Sequence, residues 1–198
     1  VSEHYYTPRP SVERDLHTIE EALRGRSFIF WTDAGVFSKK GVDYGSKLLV
    51  QTMVLSKQAK VLDVGCGYGP IGLVAAVQAE QGTVTMVDIN ERAIELAKRN
   101  AERNRIANVR ILQSDLLAEV MDQTFDTVLT NPPIRAGKEM VHRVFEQAHH
   151  VLAPGGALWV VIQKKQGAPS AYAKLESLYS QVEEVEREKG YWIIKAVK

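Results

Sequence analysis

The residues of this chain that could do chemistry stand at the ends of short apolar runs. Val61-Leu62-Asp63-Val64-Gly65-Cys66-Gly67-Tyr68-Gly69 joins a β-branched run to an acid and three glycines at alternate positions. Pro70 then opens a stretch, 71–78, with helical apolar spacing. Strand, tight loop and helix in that order hold a nucleotide-like ligand above the end of a parallel strand. Gly65, Gly67 and Gly69 let the backbone approach such a ligand where a side chain would block it. Gly67-x-Gly69-x-x-Gly72 also satisfies the dinucleotide fingerprint, with Asp88 about where that fingerprint places its ribose-binding acid. The loop alone leaves the ligand open.

Three further run ends narrow it. Asp88 can accept two hydrogen bonds from a ribose diol, or cap the next helix. Asp115, in Ser114-Asp115-Leu116, can accept from the exocyclic amine of adenine, or cap a short helix. Asp63 can face an ammonium group or hold the loop through its N–H groups. Asn131-Pro132-Pro133 discriminates most. Two prolines keep the backbone extended and remove two donors, leaving carbonyls exposed. The Asn131 side-chain oxygen and the Pro132 carbonyl then make a pair of acceptors for both hydrogens of a planar NH2 group. A dehydrogenase has no use for such a pair. Cys66 fits the loop by size and not as a nucleophile. His142, His149 and His150 share one helix without partners at ligand spacing, so no metal is expected.

These motifs resemble the class I methyltransferases that use S-adenosylmethionine (SAM): Asp63-x-Gly65-x-Gly67-x-Gly69, Asp88, Asp115 and Asn131-Pro132-Pro133-Ile134. Gly35-Val36-Phe37-Ser38, Val42-Asp43-x-Gly45-Ser46-x-Leu48-Leu49, Asn131 to Lys138 and Gln163-Lys164-Lys165-Gln166-Gly167-Ala168 are similar to the ribosomal RNA small-subunit methyltransferase C family, in its short, single-domain form. The resemblance implies SAM as cofactor, with Phe37 and Ser38 joining Asp63, Gly65, Cys66, Gly67, Gly69, Asp88, Ile89, Asp115, Leu116 and Asn131 around it. It implies transfer of a methyl group to an exocyclic amine, in the family that of guanine in small-subunit ribosomal RNA. Asn131, Pro132 and Pro133 would be the catalytic segment. An aromatic amine is a poor nucleophile because its lone pair is delocalised. Two acceptors on its hydrogens turn that lone pair towards the methyl carbon, and positioning and electrostatics supply the rest. Adenine amines and protein glutamine amides present the same NH2 group and are the alternative substrates. A SAM-binding RNA module without catalysis is the alternative of a different class.

One position departs from the pattern. Related amine methyltransferases often carry Phe or Tyr after Asn-Pro-Pro, where it stacks on the target base, whereas this chain has Ile134. Phe37, Tyr44 or Trp31 must supply the platform, or the substrate differs. Arg135, Lys138, Lys164 and Lys165, with Lys39, Lys40 and Lys47, would form a positive rim for phosphates, and Ile134 would touch the base.

The elements that must position these residues follow from patterning. Strands are expected at 60–64, 83–88, 109–113, 125–130 and 157–163, alternating with helices at 71–79, 91–104, 138–152 and 170–179. A helix capped by Asp43 runs to about 55, and 182–186 with 191–197 form a hairpin around Lys189-Gly190. This predicts an α/β Rossmann-like fold, a seven-stranded, mostly parallel, doubly wound sheet with an antiparallel hairpin at its edge. Residues 1–35 read as an N-terminal extension with a hairpin and 36–198 as the catalytic core of a single domain. At 198 residues and net charge +1, with 45% hydrophobic and 25% charged residues, the chain is an ordinary globular one whose polyanion-binding surface must be local. No run is long enough to span a bilayer, no signal peptide is evident, and one cysteine excludes an internal disulfide, so a cytoplasmic protein is expected. Ribosomal RNA or the small ribosomal subunit is the expected partner, with monomer and homodimer both open.

Overall fold

The computed structural model describes residues 7–9, 11, 13–34 and 41–198. Phe37, Ser38, Lys39 and Lys40 lie outside the described residues. The elements are β1 (His17–Leu23), β2 (Arg26–Thr32), α1 (Tyr44–Thr52), β3 (Lys60–Val64), α2 (Pro70–Gln78), β4 (Thr83–Asp88), α3 (Glu91–Arg103), β5 (Val109–Gln113), β6 (Phe125–Thr130), α4 (Lys138–Val151), β7 (Leu152–Gln163), α5 (Ala168–Leu178), β8 (Gln181–Glu188) and β9 (Tyr191–Val197). Four of the strands, β3 to β6, have the bounds that the patterning predicts.

The main sheet has seven strands in the order β5-β4-β3-β6-β7-β9-β8. β3 pairs in parallel with β4 on one side and with β6 on the other. The chain therefore winds outward from β3 and then returns to its far side, which opens a crevice at the carboxyl ends of β3 and β6. In open α/β sheets ligands bind at such a switch point. β3, β4 and β6 are covered on both faces, which is why they read as nearly continuous apolar runs. One apolar cluster packs α1, α2, α3 and the N-terminal hairpin on one face; the other packs α4 and α5 on the opposite face.

The C-terminal hairpin stands at the edge of the sheet, as the patterning predicts, with its apolar strand on the inside. β9 inserts between β7 and β8, antiparallel to both. Its Ile193, Ile194 and Ala196 are fully buried, whereas β8 reads Gln-Val-Glu-Glu-Val-Glu-Arg-Glu and is exposed along most of its length. Burying β9 satisfies the apolar strand and leaves a charged strand at the rim, where charge deters edge-to-edge pairing. β7 begins earlier than expected, at Leu152, and runs through Pro154-Gly155-Gly156. Gly155 N–H donates to the Lys198 carbonyl at 3.1 Å, and Lys198 N–H donates to the Gly156 carbonyl at 2.9 Å. α1 is shorter than expected because Met53 already has extended backbone (φ −59°, ψ 143°).

β1 and β2 form a hairpin through the two-residue turn Arg24-Gly25, both with positive φ (48° and 76°). The free edge of β2 is paired by side chains instead of a third strand. Asn104 Oδ1 accepts from Ile29 N–H at 3.0 Å while its Nδ2 donates to the Ile29 carbonyl at 2.9 Å. Asn100 does the same for Trp31, at 2.6 and 3.0 Å. Asparagines four apart on α3 match the two-residue repeat of the strand because both spacings place side chains on one line. Among the described residues, no helix is long and apolar enough to cross a membrane.

Candidate active site

The loop after β3 is held from below. Gly65 and Cys66 N–H both donate to the Val87 carbonyl at 2.9 Å, and Gly67 N–H donates to Asp88 Oδ2 at 2.9 Å. The other oxygen of Asp88 accepts from Asn90 N–H at 2.8 Å. Asp88 thus ties the glycine loop to the end of β4. Gly65 has φ +72°, and a Cβ built there meets nothing within 4 Å. The space beyond it is the crevice itself, so any side chain at 65 would stand in the cradle. Gly72 serves close packing instead: a Cβ there would lie 2.7 Å from Met86 Sδ and 2.8 Å from Asp63 Oδ2.

Two cavities meet at Gly65 and Pro133. The first, of about 520 Å³, brings together Val64, Asp88, Ile89, Asp115 and Leu116. The second, of about 980 Å³, brings together Cys66, Gly67, Asn131, Pro132, Ile134 and Arg135. Six residues of the second were not named as site residues from sequence: Asp43, Ser46, Tyr68, Pro70, Ile71 and Gln166. Asp43 reads as a helix cap, which it is, since its side chain accepts from Ser46 N–H. Nothing in its spacing signals the second contact that it makes, with Asn131.

Asn131 Nδ2 donates to Asp43 Oδ2 and to Ser46 Oγ, each at 3.2 Å. Its oxygen remains as the acceptor of the amide. Pro133 lies at φ −75°, ψ 75°, and Ile134 N–H donates to the Pro132 carbonyl at 2.9 Å. This is an inverse γ-turn. It occupies one lone pair of the Pro132 carbonyl and leaves the other.

Several residues named from sequence line neither cavity. Asp63 is fully buried behind the loop, against Gly72, and neither of its oxygens has a hydrogen-bond partner among the described residues. Burial pushes its pKa up to about 7, with the Asp88 charge adding to the effect and the nearby Gly72 amide opposing it. Gly69 is the N-cap of α2. Lys138 sits at a third cavity of about 410 Å³, shared with Ile134, His142 and Gln166. Lys164 and Lys165 are exposed on the turn after β7, next to Gln166. Burial pushes the Cys66 thiol well above its ordinary range, with Asp88 and Asp63 adding to the shift, so it carries no reactive thiolate. Among the described residues, no group of three or more His, Cys, Asp or Glu could hold a metal ion.

Residues 27–195 match the family described as methyltransferase small domain. The chain belongs to this family. The Bacillus subtilis protein YbxB is 54% identical over 200 residues, covering all of both chains. Ribosomal RNA large subunit methyltransferase G of Aeromonas hydrophila is 28% identical over 97% of this chain and 51% of its own length. The chain thus spans about half the length of that relative. The fold is also that of the Thermus thermophilus 16S rRNA N2 G1207 methyltransferase (RsmC), solved with AdoMet and guanosine. The match has a TM-score of 0.84 and 24% identity, and covers 96% of this chain and 52% of the other.

As a class I methyltransferase the chain uses SAM, and the geometry suits it. The first cavity has a floor of Val64 and Val87 and a wall of Leu116, with Asp88 and Asp115 as acceptors, the needs of an adenosine. The second begins at Gly65 and Gly67, where an amino-acid tail has only backbone to pass. SAM supplies a methyl group on a sulfonium that carries its own leaving group. The protein's part is to orient the acceptor and to receive the positive charge that develops on it.

Proposed function

We propose that this chain transfers a methyl group from SAM to the exocyclic amine of a base in ribosomal RNA, guanine N2 of the small-subunit RNA. The observation that carries the reading is the state of Asn131. With its nitrogen committed to Asp43 and Ser46, it offers the crevice an oxygen. That oxygen and the second lone pair of the Pro132 carbonyl are the two acceptors an NH2 group needs. They align the amine lone pair with the methyl carbon and stabilise the charge gained in transfer. No side chain is required as a covalent nucleophile. Asp88 holds the ribose of SAM, Asp115 and Leu116 its adenine, and the loop from Gly65 its amino-acid end.

The likeness to RsmC supports guanine, since that protein was solved with guanosine. Relatives named for the large subunit make large-subunit RNA the second reading. For the base platform, Trp31 is spent elsewhere, under the Arg99 guanidinium at 4.6 Å on α3. Tyr44 follows Asp43, with its ring 5.5 Å from that of Tyr191 and 4.8 Å from the Lys189 ammonium. Arg135, Lys138, Lys164 and Lys165 give the phosphate-binding rim.

The test is labelled SAM with unmodified small and large subunits and their RNAs, followed by identification of the methylated nucleoside by mass spectrometry. N2-methylguanosine is expected. Asn131→Ala should keep SAM binding and lose at least about 100-fold in kcat, the scale of losing one preorganised electrostatic partner. Label on adenine or on protein, or undiminished turnover by Asn131→Ala, would overturn the reading.

A further inference from the structure

Asp43 is an acid in the crevice for which methyl transfer, as described, has no task. Its Oδ2 accepts from Ser46 N–H at 3.0 Å, an ordinary helix cap. The same oxygen takes Asn131 Nδ2 at 3.2 Å, from a residue 88 positions along the chain. Ser46 Oγ, on a side chain 4% exposed, takes the same nitrogen. A cap needs only the first of these contacts.

A carboxylate can only accept hydrogen bonds, whereas an asparagine amide has a donating end and an accepting end. Asp43 therefore decides which way the Asn131 amide stands. Turning the amide over would bring its oxygen against a carboxylate oxygen with no hydrogen between them. The NH2 end is held to α1, and the oxygen is what remains for the target. Donation to a charged acceptor also polarises the amide and places more negative charge on that oxygen. Positive charge develops on the target nitrogen during methyl transfer, so this polarisation favours the transition state over the ground state.

We propose that Asp43, supported by Ser46, is the positioning and specificity-determining residue of the site. It holds Asn131 as an obligate acceptor, so the crevice takes a target that donates, an exocyclic NH2, and turns away a base that presents a carbonyl oxygen at that point. This rests on the acceptor role given to Asn131 above. The loop and helix that carry Asp43 and Ser46 are thus part of the selection of the substrate atom and not only of its scaffold.

Two variants separate this role from capping. Asp43→Ser keeps a good N-cap but is too short to reach Asn131, and Asp43→Asn keeps both the cap and an accepting oxygen while losing the charge. The first readout needs no substrate. The 15N side-chain amide signal of Asn131, identified by its loss in Asn131→Ala, should stand at a different position in Asp43→Ser from that in the parent, because the bond from its Nδ2 to Asp43 Oδ2 is gone. The second is kinetic. Asp43→Ser should lower kcat about 10- to 100-fold with SAM affinity unchanged, and Asp43→Asn should recover part of the loss. In an Asn131→Ala background Asp43→Ser should cost nothing further. An Asn131 signal identical in parent and Asp43→Ser, or the same fold loss in both backgrounds, would overturn the proposal. If the parent protein transfers no methyl group to ribosomal RNA, the functional reading fails instead, because the amide signal reports the Asp43–Asn131 bond without substrate.

Discussion

Asn100→Leu should weaken SAM binding and Asn104→Leu should not, although both unpin the N-terminal hairpin. The two asparagines are matched. Each exchanges two bonds with one residue of β2, Trp31 for Asn100 and Ile29 for Asn104. Leucine has a similar volume and no polar atoms, so each variant removes the pairing of one strand residue. Two lost partnerships at roughly 1 kcal/mol each amount to about 2 kcal/mol, or a fall in Tm of about 4–8 °C for a chain of this size. The further bond of Asn104 stays local, from its Nδ2 to the Asn100 carbonyl at 2.7 Å, whereas that of Asn100 reaches the glycine loop. Asn100 is fully buried, and its Nδ2 also donates to the Tyr68 carbonyl at 2.7 Å, inside the glycine loop. The Tyr68 ring in turn packs edge-on against Phe30 of β2, with centroids 5.7 Å apart. The hairpin and α3 therefore brace the loop that receives SAM. Losing a bond of about 1–2 kcal/mol that holds the loop in its binding conformation should raise the Kd for SAM about 5- to 30-fold. Calorimetric titration with SAM, well below both melting temperatures, measures this directly. Equal loss of affinity in the two variants would mean that hairpin docking as a whole matters and the Tyr68 contact does not. No loss in either would refute the bracing argument.

SAM at 100 times its Kd should stabilise the protein by about 2.7 kcal/mol, a rise in Tm of several degrees, and Asp88→Ala should abolish that rise in a thermal melt. Asp63 gives a pH signature. Its folded pKa of about 7 stands above the ordinary carboxylate value, so the folded state holds a proton that the unfolded state releases. Stability should fall as pH rises between those two values and level off above the higher one. Asp63→Asn should remove that slope and gain up to about 4 kcal/mol over the parent at about pH 8, with little difference at about pH 4. Denaturant melts at the two pH values decide it, and parallel profiles for the two proteins would count against the buried-acid account. Replacing Lys164 and Lys165 together by Ala should weaken RNA binding and flatten the log Kd against log salt plot by about 1.4–1.8. An unchanged slope would remove both from the RNA face.

Much of the fold is legible because parallel strands buried on both faces must be apolar throughout, so β3, β4 and β6 stand out at their correct bounds. The placement of β9 is less legible. Patterning shows two strands joined by Lys189-Gly190, but which of them lies inside the sheet and which at its edge depends on comparing their burial, and only the sequence of β8, with acids at Glu183, Glu184, Glu186 and Glu188, hints at the answer. At the site, legibility tracks how local a role is. Gly65 and Asp88 act through backbone geometry and a strand end, which short motifs encode, and the structure sets them together at one cradle. Asp63 shows the limit of a motif: its position beside the glycines suggests contact with the ligand, yet strand alternation points its side chain under α2. Asp43 shows the opposite limit. A capping acid is the commonest explanation of such a residue, and it is true here. Its second partner, Asn131, comes from another strand end and is brought to it only by the winding of the sheet. Residues with two roles, one local and one long-range, will be assigned the local one from sequence, because the local role accounts for the residue type completely. Such doubly employed caps at a crevice rim are therefore where a structure adds most to the reading of an active site.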